Sequence, residues 1–348
     1  MGSETELKLG LGPEYSADVA SLALLQEHQC APAQTRQLDS TYYDTPDQRL
    51  SQARVALRMR RDGERHIQTL KTAGSGQAGL SVRREWEWEC EDDALDLALL
   101  RDHLPVELLD DGVLEQLEPL FVTRFERRLW WLGGEVEGEP WQVEVALDQG
   151  TIEGRGQRMP LSELELELKQ GSPEILFQLA AEMARQVPML VRDISKAQRG
   201  YQLCGASLQL PQATLRYTGD DSASLVELVG SCLRAWPGQL EAAMRGDEEA
   251  LGMLIQTLDL LLAALESLPQ VAEQCQVLIS QYQRLRAEVA RAHDWRLLQE
   301  MPAAWQQVQR EQGLQRLDAL RHKTLPGQLA LATGELLWQL AADAEAQA

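Results

Sequence analysis

Glu4, Glu6 and Lys8 alternate along ETELKL, and Glu163, Glu165, Glu167 and Lys169 alternate along ELELELK. Glu85 and Glu87 share a face with Arg83, backed by Trp86 and Trp88. Glu144 and Asp148 lie opposite Val143, Val145 and Leu147, and Arg58 and Arg60 lie on one face of LRMR. Side chains that alternate in this way share one face of an extended strand. A face holding both carboxylates and Arg or Lys suits a phosphate chain held with hard divalent cations. Carboxylate oxygens bind Mg²⁺ or Mn²⁺. The guanidinium fork and the lysine point charge engage phosphate oxygens.

The same alternation has a plainer reading. In an ordinary antiparallel sheet the apolar face is core and the charged face is solvated. A barrel whose apolar outside is covered by helices, and whose inside is charged, gives the same pattern. Inside such a tunnel the charges are less screened than on a surface. Residues 1–204 read mainly as strands, with breaks expected at Thr72 to Gly76, Gly133-Gly134 and Gly154 to Gly156. Short helices are expected after Pro13 and from Ser172-Pro173. Pro211 to Tyr217 reads as a linker, and helical period begins after Ser222. Asp247-Glu248-Glu249 suits a helix N-terminus, and Trp236-Pro237-Gly238 and Leu325-Pro326-Gly327 read as breaks.

The chain has 348 residues, which suggests two domains, and a net charge of −21. From residue 205 onward, 11 Lys and Arg face 18 Asp and Glu, so both halves are acidic. Such a chain offers no long-range attraction to nucleic acid or to an anionic membrane. A polyanionic substrate would need a locally basic cavity. The N-terminus has no basic and apolar signal pattern, and the expected location is the cytoplasm. Five scattered cysteines without a C-x-x-C pair point to free thiols. The five histidines show no ligand spacing. Tyr42, Tyr43 and Asp44 read as residues that pin a turn, and Trp86, Trp88, Trp130 and Trp131 as packing.

Glu4-x-Glu6-x-Lys8 resembles the E-x-E-x-K signature of the CYTH superfamily, which includes class IV adenylate cyclases and thiamine triphosphatases. Eight further blocks follow in the family's order: YYDTPDQRL, ALRMRR, QTLKTAG, RREWEWE, FERRLW, VEVALDQG, ELELELK and SKAQRGY. Their wording is most similar to that of bacterial CYTH–CHAD inorganic triphosphatases. The resemblance implies an α+β fold: an eight-stranded antiparallel β-barrel forming a tunnel with flanking helices (residues 1–204), followed by an all-α helical domain (205–348). It implies Mg²⁺- or Mn²⁺-dependent hydrolysis of inorganic triphosphate to pyrophosphate and phosphate. By motif, Glu4, Glu6, Glu165 and Glu167 would be metal ligands, with Glu163 on the same face. Lys8, Arg58, Arg60, Lys71, Arg127 and Lys196 would grip phosphate. Glu85, Glu87 and Asp148 would complete the acidic wall, holding a second metal or orienting water. Hydrolysis of thiamine or nucleoside triphosphate, or non-catalytic binding of polyphosphate or a nucleotide, are the competing readings.

The C-terminal stretch DEEALGMLIQTLDLLLAAL resembles the opening helix of a CHAD domain, a helical polyphosphate-binding module. Gly252 stands where that helix has histidine, and Ile255, Asp259, Leu260 and Leu262 stand where it has arginine. His293-Asp294-Trp295 resembles the module's R-D-W. The functional residues do not carry over. The apolar replacements imply packing, against the barrel or against a second copy of the chain as a homodimer. Every candidate site residue precedes position 205, so the site is expected to be complete without this region.

Overall fold

The computed structural model describes residues 2–346, apart from 73, 78–79, 106–107, 109–111, 207–209, 217–218, 269–271 and 294–301. Asp294 and Trp295 lie outside the described residues. The chain order is β1 (Gly2–Leu11), α1 (Ser16–Ala20), α2 (Ala23–Glu27), β2 (Gln29–Asp44), α3 (Arg49–Gln52), β3 (Ala56–Asp62) and β4 (Arg65–Lys71). There follow β5 (Ser75–Gln77), β6 (Leu80–Cys90), α4 (Ala98–Arg101), β7 (Glu118–Val136), β8 (Glu139–Gly154) and β9 (Gln157–Gln170). Then come α5 (Glu174–Gln186), β10 (Met189–Val191) and α6 (Lys196–Leu203). Helices α7 (Asp221–Met244), α8 (Glu248–Ser267), α9 (Ala272–His293), α10 (Ala303–Leu320) and α11 (Leu325–Ala346) complete the chain.

Eight strands pair antiparallel in the order β1-β9-β8-β7-β2-β3-β4-β6, and β6 pairs back onto β1 from Gly2↔Glu85 to Leu7↔Leu80. The ring is therefore closed, which removes the unpaired edges that an open sheet would expose. Short β5 and β10 extend it beside β6 and β1. Two tight hairpins set the register of the long strands. Glu137-Gly138 and Arg155-Gly156 both have positive φ at each central residue, the pattern of a two-residue turn that matches strand twist.

Two expected breaks are not breaks. Gly133 and Gly134 lie within β7, paired with Gln142 and Trp141. A Cβ on Gly134 would meet the Trp141 ring at 2.9 Å, so the glycine makes room for an indole rather than for a turn. Trp236-Pro237-Gly238 lies inside α7, which continues to Met244. Trp236 is fully buried there, edge-on to Tyr282. Packing thus holds a helix that local propensity would interrupt. The other helix signals hold: Asp247 caps α8 by accepting from the Ala250 N–H at 3.0 Å, and Pro326 sits in the first turn of α11.

The outward residues of β1, β8 and β9 (Leu7, Leu9, Val143, Val145, Leu164 and Leu166) are fully buried. They form one continuous core with α5 and the C-terminal helices. Gly327 of α11 lies flat on β10, where a Cβ would come within 2.0 Å of the Met189 carbonyl oxygen. By length and composition α8 could cross a bilayer, but Leu251, Leu254, Leu258 and Leu261 are buried in this core. Ile255 and Leu262 pack partly against it, whereas Leu260 is exposed.

Candidate active site

Directly opposed residues of an antiparallel pair project to the same face. Following the register around the ring therefore shows which residues point inward. Glu6 faces Glu167, which faces Glu144; Lys8 faces Glu165. Glu163 faces Asp148, which faces Arg127. Across the ring, Thr123 faces Ser40 and Ser40 faces Arg60; Tyr42 faces Arg58, Arg58 faces Thr69 and Thr69 faces Glu87. Lys71 faces Glu85. All the strand-borne candidates except Glu4 are thereby placed on one surface. Glu4 joins them by alternation with Glu6. The apolar outer face is buried by helices and the charged face is also largely buried: Lys8, Arg58, Glu85, Asp148 and Glu163 are all under 9% exposed. A solvated outer sheet face would not bury these charges, so the tunnel reading holds over the plainer one.

Helix α6 closes one end. Ser195 forms a capping box with Gln198, accepting from its backbone N–H at 3.2 Å, while the Gln198 side chain accepts from the Ser195 N–H at 2.9 Å. This fixes Lys196 at the first helical position. Gly200 lets the helix approach Phe121, whose ring a Cβ would meet at 2.0 Å. Tyr201 packs edge-on to Phe121, which stacks on Tyr42. The Lys196 ammonium reaches Asp148 at 2.6 Å, Glu163 at 2.6 Å and Glu165 at 3.0 Å. Arg127 donates two bonds to Asp148, at 2.7 and 2.6 Å, and one to Glu165 at 2.6 Å. Lys8 lies 3.1 Å from Glu165 and 3.5 Å from Glu6. Burial works against each of these charges, but the opposite charges outweigh it. Lys196 and Arg127 are held protonated by Asp148 first, and Glu165 is held well below the usual carboxylate range by Lys196, Lys8 and Arg127.

The other wall is less balanced. Lys71 pairs with Glu85 at 2.5 Å and with Glu4 at 3.6 Å. The Glu4 carboxyl is pushed up to about 8, chiefly by burial, then by its hydrogen bond to Glu85 and the charges of Glu85 and Glu167, against Lys71. Glu167 is also raised, by burial and then by Glu144 and Glu6, although Lys169 lies 2.5 Å away. Arg58 lies 3.5 Å from both Glu85 and Glu87, and Thr69 donates to Glu87 at 3.2 Å. Arg60 donates to Ser40 at 3.2 Å and pairs with no carboxylate among the described residues. Burial, and then the guanidiniums of Arg58 and Arg127, work against its charge. Arg58 Nε and Thr123 Oγ1 are buried without a hydrogen-bond partner among the described residues.

The residue types fit a divalent cation. Asp148, Glu163 and Glu165 bring carboxylate oxygens within 4.8 Å of one another, but the Lys196 ammonium already sits at their convergence. The oxygens of Glu163 are engaged by Lys196 and by Arg199. Glu4, Glu6 and Glu167 are a further group of carboxylates on the same face, where burial first and then neighbouring carboxylates raise Glu4 and Glu167.

Sequence reasoning missed several neighbours. Tyr42 faces the interior, its phenol drawn below the ordinary value by Arg58 and Arg60 against burial. Its neighbour Asp44 does pin the turn, accepting from the N–H groups of Thr45, Leu50 and Ser51. Arg192 and Arg199 approach Glu163 from outside the motif strands, and Glu241 pairs with Arg192. The Arg199 signal lay in SKAQRGY, three residues after Lys196. Arg192 and Glu241 carried none. Of the three neighbouring arginines on β7 only Arg127 enters the site: Arg124 pairs with Glu153, and Arg128 lies over the Trp130 ring. The Arg83 side chain lies outside the described residues.

The CYTH domain family matches residues 2–201, more than half of the chain, and the chain belongs to that family. It is 34% identical over 204 residues to an inorganic triphosphatase of Haemophilus influenzae, covering 58% of this chain and 55% of that protein. It thus spans about half the length of that curated relative. Among solved structures it is similar to a Hippeastrum protein described as an adenylyl cyclase with a dominant triphosphatase activity (20% identity, TM-score 0.43, 57% of this chain and 95% of that one). It is also similar to an inorganic triphosphatase (15% identity, TM-score 0.23, 58% of this chain and 95% of that one).

Proposed function

We propose that the chain hydrolyses inorganic triphosphate to pyrophosphate and phosphate inside the tunnel, with Mg²⁺ or Mn²⁺. One observation carries this reading: like charges crowd together on two separate stretches of one largely buried inner surface, cationic on one and carboxylate on the other. Arg60 crowds against Arg58 and Arg127, while Glu4 and Glu167 crowd against other carboxylates. A polyphosphate with a bound divalent cation satisfies both stretches at once. An anion alone or a cation alone satisfies one.

In this reading Arg58, Arg60, Lys8, Lys71, Arg127 and Lys196 bind the phosphate oxygens. Glu4, Glu6 and Glu167, with Glu165 at their inner limit, hold the cation, which when bound neutralises phosphate charge and polarises the terminal phosphoryl group. Glu85 and Glu87 orient the attacking water or help hold a second cation. Water adds to the terminal phosphorus as the bridging P–O bond breaks, and pyrophosphate leaves. Asp148 and Glu163 hold Arg127 and Lys196 in place, and Tyr42 supports Arg58. We read residues 205–348 as a shortened CHAD-like helical domain that packs on the barrel. The cytoplasm suits a chain whose five cysteines are all free.

The test is phosphate release from inorganic triphosphate with Mg²⁺ or Mn²⁺, set against ATP, thiamine triphosphate and pyrophosphate. Preferred turnover of inorganic triphosphate is expected. Faster turnover of ATP or thiamine triphosphate would move the assignment to an organic substrate, and metal-dependent turnover of none would overturn it.

A further inference from the structure

Glu163 is fully buried, and its Oε2 meets two guanidiniums: Arg199 at 3.1 Å and Arg192 at 3.7 Å. Two adjacent cations on one carboxylate oxygen repel each other. They would draw Glu163 away from Lys196, which holds its other oxygen at 2.6 Å. A third carboxylate offsets them. Glu241, on α7, accepts from Arg192 Nε at 3.1 Å and Nη2 at 2.7 Å through one oxygen. The same arginine is fixed from the barrel side. Its N–H donates to the Lys8 carbonyl at 2.9 Å, its Nη1 donates to the Ser162 carbonyl at 3.3 Å, and its guanidinium lies over Gly10, where a Cβ would come within 2.3 Å. Gly10 is the register partner of Glu163. A chain of contacts, each between buried or nearly buried groups, thus runs from the C-terminal helices to the inner end of the tunnel: Glu241, Arg192, Glu163, Lys196.

We propose that Glu241 is a positioning residue of the tunnel: by balancing Arg192 it leaves Glu163 to hold the Lys196 ammonium where phosphate oxygens bind. The proposal rests on reading the tunnel as the polyphosphate site. It makes the C-terminal helical region part of the working site rather than an appendage.

The experiment uses the full chain and inorganic triphosphate. Affinity is read by calorimetry without divalent cation, and KM and kcat with Mg²⁺. Glu241→Gln keeps the size and removes the charge; Glu241→Ala removes both. Each is expected to raise Kd and KM on the order of tenfold, within the range of coupling carried through packed side chains, with a smaller change in kcat. Glu241→Asp should recover part of the affinity. Combining Glu241→Ala with Arg192→Ala should cost less than the two singles together, as coupled neighbours do. Leu254→Ala, in the C-terminal core, serves as control: it should lower the melting temperature without moving Kd. If Glu241→Ala does not fold, Glu241→Gln decides. Wild-type protein that neither binds nor hydrolyses triphosphate sinks the tunnel reading and this proposal together. Wild-type binding with Glu241→Gln within about twofold of it, or a Kd shift in Leu254→Ala that equals the Glu241 effect, overturns this proposal alone.

Discussion

Lys196 Nζ lies 2.6 Å from Asp148 Oδ2, joining a helix that closes the barrel to a strand of its inner wall. Neither side chain is more than 7% exposed. The same ammonium serves Glu163 and Glu165, so one residue compensates three carboxylates.

Lys196→Met should therefore leave a buried acidic cluster unbalanced. Breaking a buried pair from one side costs about 3–5 kcal/mol, and denaturant unfolding should show a loss of that order. Mg²⁺ should restore more stability to the variant than it adds to wild type, by binding only the folded state. Equal stability of the two proteins would count against the hub.

Glu6→Ala and Glu165→Ala should separate chemistry from structure. Both are expected to lower turnover on the order of 100-fold or more. Glu165 also holds Lys8, Arg127 and Lys196, so its loss should cost several kcal/mol of stability, of order 3–5. Glu6→Ala should cost roughly 1 kcal/mol or less. Near-normal activity in both variants would remove these residues from the cation set.

Arg60 gives a prediction of unusual sign. Its charge is buried beside two other guanidiniums, so Arg60→Ala should leave the ligand-free protein as stable as wild type or more so. The same variant should lose much of the thermal stabilisation that triphosphate gives, and Arg60→Lys should not fully restore it, because lysine lacks the fork. A variant destabilised without ligand and normal with it would contradict the anion-binding role.

The Glu4 carboxyl, at about 8, is raised above its unfolded value of roughly 4.3. The folded chain thus keeps a proton that the unfolded chain has released across that window. This contribution to stability is complete below the unfolded pKa and is lost as pH rises through about 8. Metal-free protein should melt at lower temperature at high than at neutral pH. The stabilisation given by Mg²⁺ should grow over the same range, since cation and proton compete for one carboxyl. A pH-independent Mg²⁺ effect would argue that Glu4 is not involved.

Residues 1–204 expressed alone should aggregate or melt early. Removing α7 to α11 uncovers the faces of α5 and β10 that carry Leu176, Met183, Met189 and Val191, all buried in the whole chain. The proposed role of Glu241, through its contact with Arg192, stands against the expectation that the site is complete before residue 205. A soluble fragment with wild-type affinity for triphosphate would favour that expectation.

The sequence by itself determined the strands, their two faces and the set of charges that share the inner one. Strand period is a local property, and Glu4, Glu6, Lys8, Glu163, Glu165 and Glu167 declare their face by alternation alone. Lys196 was singled out only by the resemblance of SKAQRGY to a family block, and it is the structure that shows the Ser195–Gln198 capping box fixing it. What the inner face looks onto is not local. Only closure of β6 on β1 makes it a tunnel. The tertiary structure likewise decided which charges are satisfied: Glu163 is enclosed by Lys196, Arg192 and Arg199, whereas Arg60 has no carboxylate partner among the described residues. It kept α7 helical through Pro237 because burial of Trp236 outweighs a local preference. And it brought Glu241, 49 positions along the chain, to Arg192. No pattern in the sequence marks that pair, since a through-space contact between a helix and a strand end depends on how two separate elements pack.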